Sequence, residues 1–408
     1  MLLSVLVALT VIMVTARLVG ALFKRLHQPA VIGEVVGGIL LGPSLLGRIS
    51  PEAAAILLPA EAAPFLEVIA QLGVILYMFL VGLELDLRVL QSRAVVTAAI
   101  SISSIVVPFA LGMALAGALF ESLAPPGVGF TSFALFLGVS MAITAFPVMA
   151  RILGDQGLQR TPMGVVALTC AAINDAIAWC LLAFVVGVTQ STTSAAVQTL
   201  VLTALYIGLM LTAGRRLTAV LVSRFDRSPR IGERSLALVL VAVLLSAVAT
   251  EFIGIHAIFG AFLLGAIIPH ESIIARHVTE RLEDIVRVMF LPAFFAFTGL
   301  RTEIGLVEGV DDWLWCAAII GVATAGKFGG TVAASKLVGL DWRDSAALGI
   351  LMNTRGLVEL IVLNIGLDLG VISPRLFTML VIMALVTTMM TSPVLAALLR
   401  SRPWTVAR

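Results

Sequence analysis

Apolar segments of about 20 residues or more follow one another along almost the whole chain, separated by short charged or Pro- and Gly-rich stretches. A helix needs about 20 mostly apolar residues to cross a bilayer. Only 12% of the residues are charged, whereas a soluble protein has about 25%. The chain therefore has too little polar surface for a soluble fold, and the sequence predicts an all-α polytopic membrane protein.

The charged, proline and glycine clusters divide the chain into thirteen candidate spans. The boundary between the eighth and the ninth is the weakest, because residues 233–269 also resemble one long segment. An odd number of spans puts the two termini on opposite sides of the membrane. The spans cover approximately residues 3–23, 31–47, 64–84, 92–120, 131–153, 161–188, 193–221, 233–252, 254–269, 278–299, 312–338, 343–367 and 374–400.

The basic residues test this count, because cytoplasmic loops carry an excess of lysine and arginine. One alternate set of loops holds 20 of the 26 basic residues, the other holds only Arg48, Arg301 and Arg375, and three lie inside spans. A wrong count would scramble this segregation. We expect a bacterial inner or cell membrane, with the N-terminus outside and the C-terminus in the cytoplasm. The first charge, Arg17, follows the first apolar run, which favours an uncleaved span over a signal peptide.

Two pairs of matching segments indicate an internal repeat. VVGGILLG at 35–42 resembles IFGAFLLG at 258–265, and MFLVGLELD at 78–86 resembles FAFTGLRTE at 295–303. The offsets of 223 and 217 residues agree to within a short insertion. Spans 1–6 would then match spans 8–13, with span 7 as a connector. Because an odd number of helices separates equivalent elements, the copies have opposite orientations, which is typical of secondary transporters.

Four ionisable residues lie near the centres of spans: Asp175, Lys327, Arg355 and Glu359. Such a group costs about 2.5–3.5 kcal/mol at the bilayer centre on insertion scales, so it usually has a function. The opposite charges of Asp175 and Lys327, in different spans, predict a shared interior, although a purely structural ion pair is an alternative. Arg355 and Glu359 lie four residues apart on one helix and can pair locally, in a structural or a direct role.

Two spans have polar or helix-breaking centres. Span 5 carries Thr144 and Pro147, and span 12 carries Asn353, Thr354 and Gly356. Proline removes a backbone donor and breaks the helical ladder. Because spans 5 and 12 are equivalent in the repeat, both copies are broken at the matching place, and broken helices in matching positions point to a transport site. A proline kink without a ligand role is the alternative.

Enzyme motifs are absent from the sequence. HESII at 270–274 lacks the second histidine of HExxH, and no GxSxG, GxxxxGK[ST] or GxGxxG occurs. An intramembrane aspartyl protease needs two facing acids, whereas Glu359 has Arg355 beside it. No basic block of the kind that binds nucleic acid is present. We therefore expect a protein that is not an enzyme, with no cofactor and no nucleic-acid partner, whose surroundings are the lipid bilayer.

Several other polar or sulfur-containing residues are interpreted as structural rather than functional. The cysteines lie in apolar runs without CxxC spacing, so we expect small buried side chains. One histidine, His256, stands at a predicted helix start and is interpreted as structural. Three acids lie near the membrane interface, where solvated or packing roles are expected. These residues are Cys170, Cys180, Cys316, His256, Glu34, Glu84 and Asp86.

Six stretches in order resemble the monovalent cation:proton antiporter superfamily, in particular its second branch with Kef-type systems and plant and fungal cation/proton exchangers. They are VIGEVVGGILLGPSLLG, YMFLVGLELDL, ITAFPVMARIL, AAINDAIAW, GIHAIFGAFLLGAIIP and MNTRGLVELIVLNIG. The resemblance implies thirteen helices, two broken crossing helices, a homodimer and an elevator-type movement. It implies dimerisation helices at 1–90 and 231–305, core transport helices at 91–190 and 306–408, and a connecting helix at 191–230.

By position, the resemblance implies that Asp175 is the ion-binding aspartate, with Thr144 near the ion and Lys327 balancing charge where the helices break. Asn174 takes the place of a second aspartate found in electrogenic sodium/proton members. This departure leaves the stoichiometry open and removes the usual partner of Lys327. No Kef-type nucleotide-binding domain follows the last span in this sequence, so regulation by that route is not expected.

The resemblance and the residues together predict exchange of Na⁺ or K⁺ for H⁺, with both ions competing for Asp175, and hence a role in pH homeostasis. Asn174 and Thr144 would add oxygen dipoles to the carboxylate charge. Three alternatives stay open: an ion channel, a non-transporting sensor on the same fold, and an organic-anion transporter. Spacing in the sequence does not choose between Na⁺ and K⁺.

Overall fold

In the computed structural model the described residues are 1–84, 94–189, 193–226, 233–269 and 271–400, and they form helices without a β-strand. Asp86 lies outside them, as does the side chain of Glu84. The α-helices in chain order are α1 (Leu2–Arg25), α2 (Ala30–Leu41), α3 (Leu46–Ile49), α4 (Pro51–Leu57), α5 (Ala63–Glu84), α6 (Ala94–Leu123), α7 (Phe130–Ala142), α8 (Phe146–Asp155), α9 (Pro162–Thr189), α10 (Thr193–Leu209), α11 (Arg215–Asp226), α12 (Glu233–Ile253), α13 (Ala257–Ile267), α14 (Ile273–Ile285), α15 (Leu291–Leu300), α16 (Gly309–Thr324), α17 (Gly330–Leu337), α18 (Trp342–Met352), α19 (Leu357–Asp368) and α20 (Pro374–Leu399).

The described helices confirm the prediction of an all-α polytopic membrane protein. Within the described ranges, eleven helical stretches are long and apolar enough to cross a membrane, and α18 with α19 forms a twelfth that is bent by 42°. The apolar helix α13 has 11 residues. The weakest predicted boundary is also confirmed, because α12 ends at Ile253 and α13 begins at Ala257. Gly254 and His256 adopt positive φ angles of 91° and 76° in this short connection.

The chain divides into two compact units. Unit 1 comprises Met1–Leu9, Ala60–Val89 and Ala183–Phe294. Within it, α5 and α13 pack backbone to backbone through glycines. A Cβ atom on Gly82 would lie 2.3 Å from the Phe262 carbonyl oxygen, and one on Gly265 would lie 2.3 Å from the Phe79 carbonyl oxygen. Only glycine permits so close an approach of two helices.

Unit 2 comprises Thr10–Pro59, Leu90–Leu182 and Phe295–Arg408. Here α2 packs against the end of α15 in the same manner. A Cβ atom on Gly38 would lie 2.4 Å from the Ala296 carbonyl oxygen, and one on Gly299 would lie 2.5 Å from the Val35 carbonyl oxygen. The four helices that carry the matching sequence segments therefore form one close glycine contact in each unit.

Two of the three arginines in the set of loops that is poor in basic residues are paired with acids. Arg301 donates to the Asn364 side-chain oxygen at 3.0 Å and pairs with Asp368. Arg375 pairs with Asp312 through two hydrogen-bonding contacts. These carboxylates neutralise the arginines, so the loops that contain them gain little positive charge. The contacts also join α15 to α19 and α16 to α20 within unit 2.

The prediction that all three cysteines are buried is wrong for one of them. Cys170 and Cys316 are buried, whereas Cys180 is exposed. Phe184, one turn further along α9, is exposed as well. This face of α9 therefore does not pack against the described chain. In a bilayer a small apolar side chain is as acceptable on such a face as in a core, so an apolar run does not predict burial.

Replacement of Gly82 by alanine tests the contact between α5 and α13. The new methyl group would meet backbone rather than a movable side chain, so the helices must separate. We expect a loss of about 1–3 kcal/mol of stability, measured as a lower melting temperature of the detergent-solubilised protein. The control is Gly117→Ala in α6, where a Cβ atom meets nothing within 4 Å. Equal melting temperatures for the two variants would contradict this packing.

Candidate ion-binding site

Two interrupted helices meet in unit 2. The first interruption separates α7 from α8 at residues 143–145, and the second separates α18 from α19 at residues 353–356. The Ala145 backbone N–H donates to the Thr354 carbonyl oxygen at 3.0 Å. The Thr144 hydroxyl donates to the Met352 carbonyl oxygen at 2.9 Å. Each non-helical segment thus satisfies backbone groups of the other, as irregular backbone at membrane depth requires.

The sequence predicted that span 5 breaks at Pro147, but the first interruption lies before that residue. Pro147 is in the first turn of α8, where its missing N–H costs no intrahelical bond. The non-helical residues are 143–145, immediately before it. Pro147 therefore begins the second half-helix instead of breaking a continuous one.

The second interruption contains the three residues that the sequence singled out. Asn353 follows the last residue of α18, the Thr354 carbonyl oxygen accepts the hydrogen bond from Ala145, and Gly356 precedes α19. A Cβ atom on Gly356 would lie 2.5 Å from a methyl carbon of Val148. Glycine at this position lets the second interruption approach α8 closely.

Thr144 is the hydrogen-bonding centre of the crossing. Its hydroxyl oxygen accepts from the Lys327 ammonium at 2.6 Å and from the Asn174 amide nitrogen at 3.2 Å. The same Asn174 amide donates to the Ser104 hydroxyl at 3.0 Å. Ser104 was not identified from the sequence, because serine is common in membrane helices and nothing in its spacing marks it.

Lys327 lies in a π-helical turn, Ala325–Gly329, between α16 and α17. Such turns are frequent at functional sites, and the sequence did not reveal this one. A Cβ atom on Gly326 would lie 2.8 Å from the Pro108 Cα atom of α6. The turn therefore packs tightly while the Lys327 side chain is fully buried.

Asp175 is buried but, unlike the other central charges, has no hydrogen bond. Both of its carboxylate oxygens lack a partner among the described residues. The Phe146 backbone N–H at the start of α8 is a weak donor toward this carboxylate, at a distance or angle outside normal hydrogen-bond geometry. Within the described chain Lys327 forms no ion pair with it and bonds to Thr144 instead. An unpaired buried carboxylate is costly, so a proton or a cation on it would relieve that cost.

Arg355 and Glu359 form the local ion pair, at 2.9 Å. The Arg355 guanidinium also donates to the carbonyl oxygens of Ser140 at 2.6 Å and Met141 at 2.7 Å. These are among the last carbonyl groups of α7, which have no helical partner of their own. The Thr388 hydroxyl accepts from the Arg355 backbone N–H and donates to the Arg355 backbone carbonyl oxygen. The pair therefore holds the crossing together.

The charges follow the dipoles of the half-helices. Glu359 lies in the first turn of α19 and Asp175 faces the first N–H of α8, where partial positive charge collects. Arg355 caps the end of α7, and Lys327 reaches the end of α18 through Thr144. Lys327 also interacts electrostatically with the other three charges. The site residues predicted from four spans thus lie together at one crossing.

A family model described as sodium/hydrogen exchanger, transmembrane, matches residues 11–401 of the chain. The chain belongs to the sodium/hydrogen exchanger family. The resemblance seen in the sequence is thereby confirmed, as is the prediction of a transporter rather than an enzyme. Cation:proton antiport is the activity of this family, and the exchanger is a multi-pass membrane protein.

Curated relatives extend the match. The exchanger is 45% identical over 394 residues to Na(+)/H(+) antiporter NhaS4 of Synechocystis, with 96% of both chains covered. It is 40% identical to Cation/H(+) antiporter 17 of Arabidopsis thaliana and 36% identical to K(+)/H(+) antiporter 1 of Saccharomyces cerevisiae, covering 95% and 94% of this chain. It spans only 47% and 45% of those two relatives.

A solved structure shares the fold. The sodium proton antiporter MjNhaP1 of Methanocaldococcus jannaschii aligns with a TM-score of 0.69 at 16% identity, covering 98% of this chain and 97% of that one. At this identity the similarity establishes the fold alone.

Replacement of Thr144 by valine tests the hydrogen-bonding centre without a transport assay. Valine would leave the Lys327 ammonium without its acceptor, and a buried unsatisfied group costs about 1–3 kcal/mol, or more when charged. We expect a clearly lower melting temperature for Thr144→Val. Thr144→Ser keeps the hydroxyl and should melt within a few degrees of the unchanged protein. If both variants melt alike, Thr144 is not the acceptor that holds Lys327.

Proposed function

We propose that the protein exchanges a monovalent cation, Na⁺ or K⁺, for H⁺, and that the two ions compete for the Asp175 carboxylate. The observation that carries this proposal is the pair of unpartnered carboxylate oxygens beside the helix crossing. Hard monovalent cations prefer oxygen ligands, and a negative oxygen pair accepts a cation or a proton. Relatives named as Na⁺/H⁺ and K⁺/H⁺ antiporters support both ions as candidates.

Asn174 is proposed as a second oxygen ligand. Its side-chain oxygen accepts only a long contact of 3.4 Å from the Ser104 hydroxyl, so that oxygen is available to a cation. Its amide nitrogen is held by Ser104 and Thr144, which would orient the oxygen. Because Asn174 and Asp175 are adjacent on α9, the neutral amide oxygen of Asn174 would act beside the charged carboxylate of Asp175.

Thr144 would take part by exchanging partners. Its oxygen already accepts from Lys327 and Asn174, so a cation that used this oxygen would have to displace the Lys327 ammonium. Lys327 is therefore proposed to balance the charge of the site and to yield its acceptor when a cation binds. Arg355 and Glu359, which pair with each other and cap α7, are proposed to keep the crossing intact.

The proposed cycle follows from the electrostatics of a low-dielectric interior. With a proton or a cation bound, Asp175 is neutralised and the site can change its exposure between the two sides. In the empty site the Asp175 carboxylate has no direct partner, because Lys327 bonds to Thr144, and this disfavours its crossing because an unpaired carboxylate is poorly solvated in the membrane interior. Exchange results, because each crossing requires an occupant. An ion channel would need no such competition and would conduct without coupling to protons.

The architecture that we propose for this cycle has thirteen spans, with the short helix α13 counted as one. The glycine contacts of α2 with α15 and of α13 with α5 are equivalent under the repeat, because α2 corresponds to α13 and α15 to α5, which supports the inverted repeat. Residues 91–190 and 306–408 are proposed as the moving core, 1–90 and 231–305 as the dimerisation part, and 191–230 as the connection. A homodimer with its N-terminus outside and C-terminus in the cytoplasm completes the proposal, with pH homeostasis as its role.

Replacement of Asp175 by asparagine should abolish exchange. Asparagine retains the shape but carries no charge for a cation to neutralise. In proteoliposomes with a pH-sensitive dye, addition of Na⁺ or K⁺ should then move protons no faster than in empty liposomes. The melting temperature should be unchanged or raised, because an unpaired buried charge has been removed.

The matched control is Asp284→Asn, at an exposed position of α14, which should retain exchange. Retained exchange in Asp175→Asn would exclude Asp175 as the shared site. Cation flux that does not move protons in the unchanged protein would favour the channel alternative.

Replacement of Lys327 by alanine should shift the pH dependence of exchange. A nearby positive charge favours the deprotonated carboxylate, so its removal strengthens proton binding against the cation. The pH of half-maximal exchange should therefore rise by about 1 unit or more. Lys336→Ala, further along the same helical segment, is the control because Lys336 bonds to the Leu340 carbonyl oxygen near the end of the span. A profile unchanged by Lys327→Ala would argue against charge balance by Lys327.

A further inference from the structure

Unit 1 contains a cavity of about 220 Å³ that the proposed exchange does not use. Five helices contribute to its wall, with Phe79 from α5, Leu221 from α11, Ala242 from α12, Leu264 from α13 and Ala275 from α14. The cavity is open on one side, and its lining is almost wholly apolar. The cavity is too apolar to hold an ion or a polar solute.

The single polar residue of the lining, Thr218, does not change this character. Its hydroxyl donates to the Arg215 carbonyl oxygen at 3.1 Å and lies 3.3 Å from the Ile267 carbonyl oxygen. The hydroxyl is thus occupied by backbone. A ligand that enters the groove meets methyl, methylene and aromatic groups.

Two arginines lie about one helical turn away from lining residues of this groove. Arg224 follows the lining residue Leu221 by three positions on α11, and Arg234 precedes the lining residue Leu238 by four positions on α12. Residues three or four apart lie on the same helix face. Both arginines are exposed, and neither forms an ion pair with a described residue.

The ends of the helices show that both arginines lie toward one surface of the membrane. Arg224 is near the end of α11 and Arg234 is the second residue of α12, so both adjoin the same connection. The lining residues of α13 and α14, Leu264 and Ala275, flank another connection at this end of unit 1. Both connections belong to the set of loops that is rich in basic residues, which the positive-inside rule places in the cytoplasm.

We propose that this groove binds one anionic phospholipid of the leaflet on the side of the basic loops. One acyl chain lies along the apolar wall, and the phosphate lies between the guanidinium groups of Arg224 and Arg234. Guanidinium groups bind phosphate oxygens with two parallel hydrogen bonds, and basic pockets between membrane helices at the cytoplasmic side recognise anionic head groups. An apolar groove near two arginines that form no ion pair with a described residue matches a charged lipid better than an uncharged one.

The test measures lipid retention by the purified protein in detergent, by native mass spectrometry and by melting temperature. Phosphatidylglycerol, phosphatidylcholine and soluble glycerol 1-phosphate are added separately. We expect phosphatidylglycerol to be retained and to raise the melting temperature most. Arg224→Gln and Arg234→Gln should each weaken its retention by about fivefold. Ala242→Phe, which fills the groove, should abolish the retention of both lipids.

Two control variants separate the groove from general effects. Arg25→Gln removes an exposed arginine at the end of α1, and Val248→Phe adds a ring to an exposed face of α12; both should retain phosphatidylglycerol normally. Equal retention of the two lipids, or equal stabilisation by glycerol 1-phosphate, would overturn the proposal. A change from dimer to monomer in Ala242→Phe without a change in lipid retention would instead identify the groove as an interface between two copies. None of these measurements depends on transport.

Discussion

The hydrogen bond from the Ala145 N–H to the Thr354 carbonyl oxygen joins two stretches of backbone that have both left helical geometry. In hydrocarbon, each unsatisfied peptide group costs several kcal/mol, so neither interruption is stable alone. Each provides what the other lacks: Thr144 donates to the end of α18, and Arg355 donates to the end of α7. The crossing is therefore a single structural unit, and the positions of the four buried charges depend on it.

The two buried acids at the helix crossing, Asp175 and Glu359, have different surroundings. Glu359 is paired with Arg355 on its own helix, and Arg355 is itself held by α7 and by Thr388. Among the described residues, Asp175 is influenced by the weak Phe146 N–H donor at the α8 N-terminus and by the charge of Lys327, and no side chain pairs with it. A carboxylate that already has a strong partner is a poor site for a competing cation. The contrast between the two acids, rather than burial as such, is the reason for proposing Asp175 and not Glu359 as the exchange site.

Much of this site follows from the sequence, because buried charges and broken spans are rare and conspicuous in apolar segments. Asp175, Lys327, Arg355 and Glu359 stand out for this reason alone. The internal repeat predicted that the two interruptions correspond. The sequence also revealed the helical membrane fold, because the length of an apolar segment is set by the thickness of the bilayer.

Other features could not be read from the sequence, because they depend on contacts between distant residues. Thr144 joins Lys327 to Asn174 through a hydroxyl, and no spacing rule predicts which donor a hydroxyl will receive. Pro147 marks a broken span correctly but misplaces the break, since proline is equally suited to a first helical turn. Cys180 shows the same limit for burial, because an apolar residue satisfies both a protein core and a lipid-facing surface.

Asn174 connects the hydrogen bonding of the site to the charge carried in each cycle. As an amide it donates to both Ser104 and Thr144, which a carboxylate cannot do. Lys327 consequently bonds to a neutral hydroxyl and not to a second acid. If Lys327 keeps its charge throughout the proposed cycle, Asp175 is the only group whose charge is compensated by the transported ions. One proton is then replaced by one cation, and the site carries the same net charge in both directions.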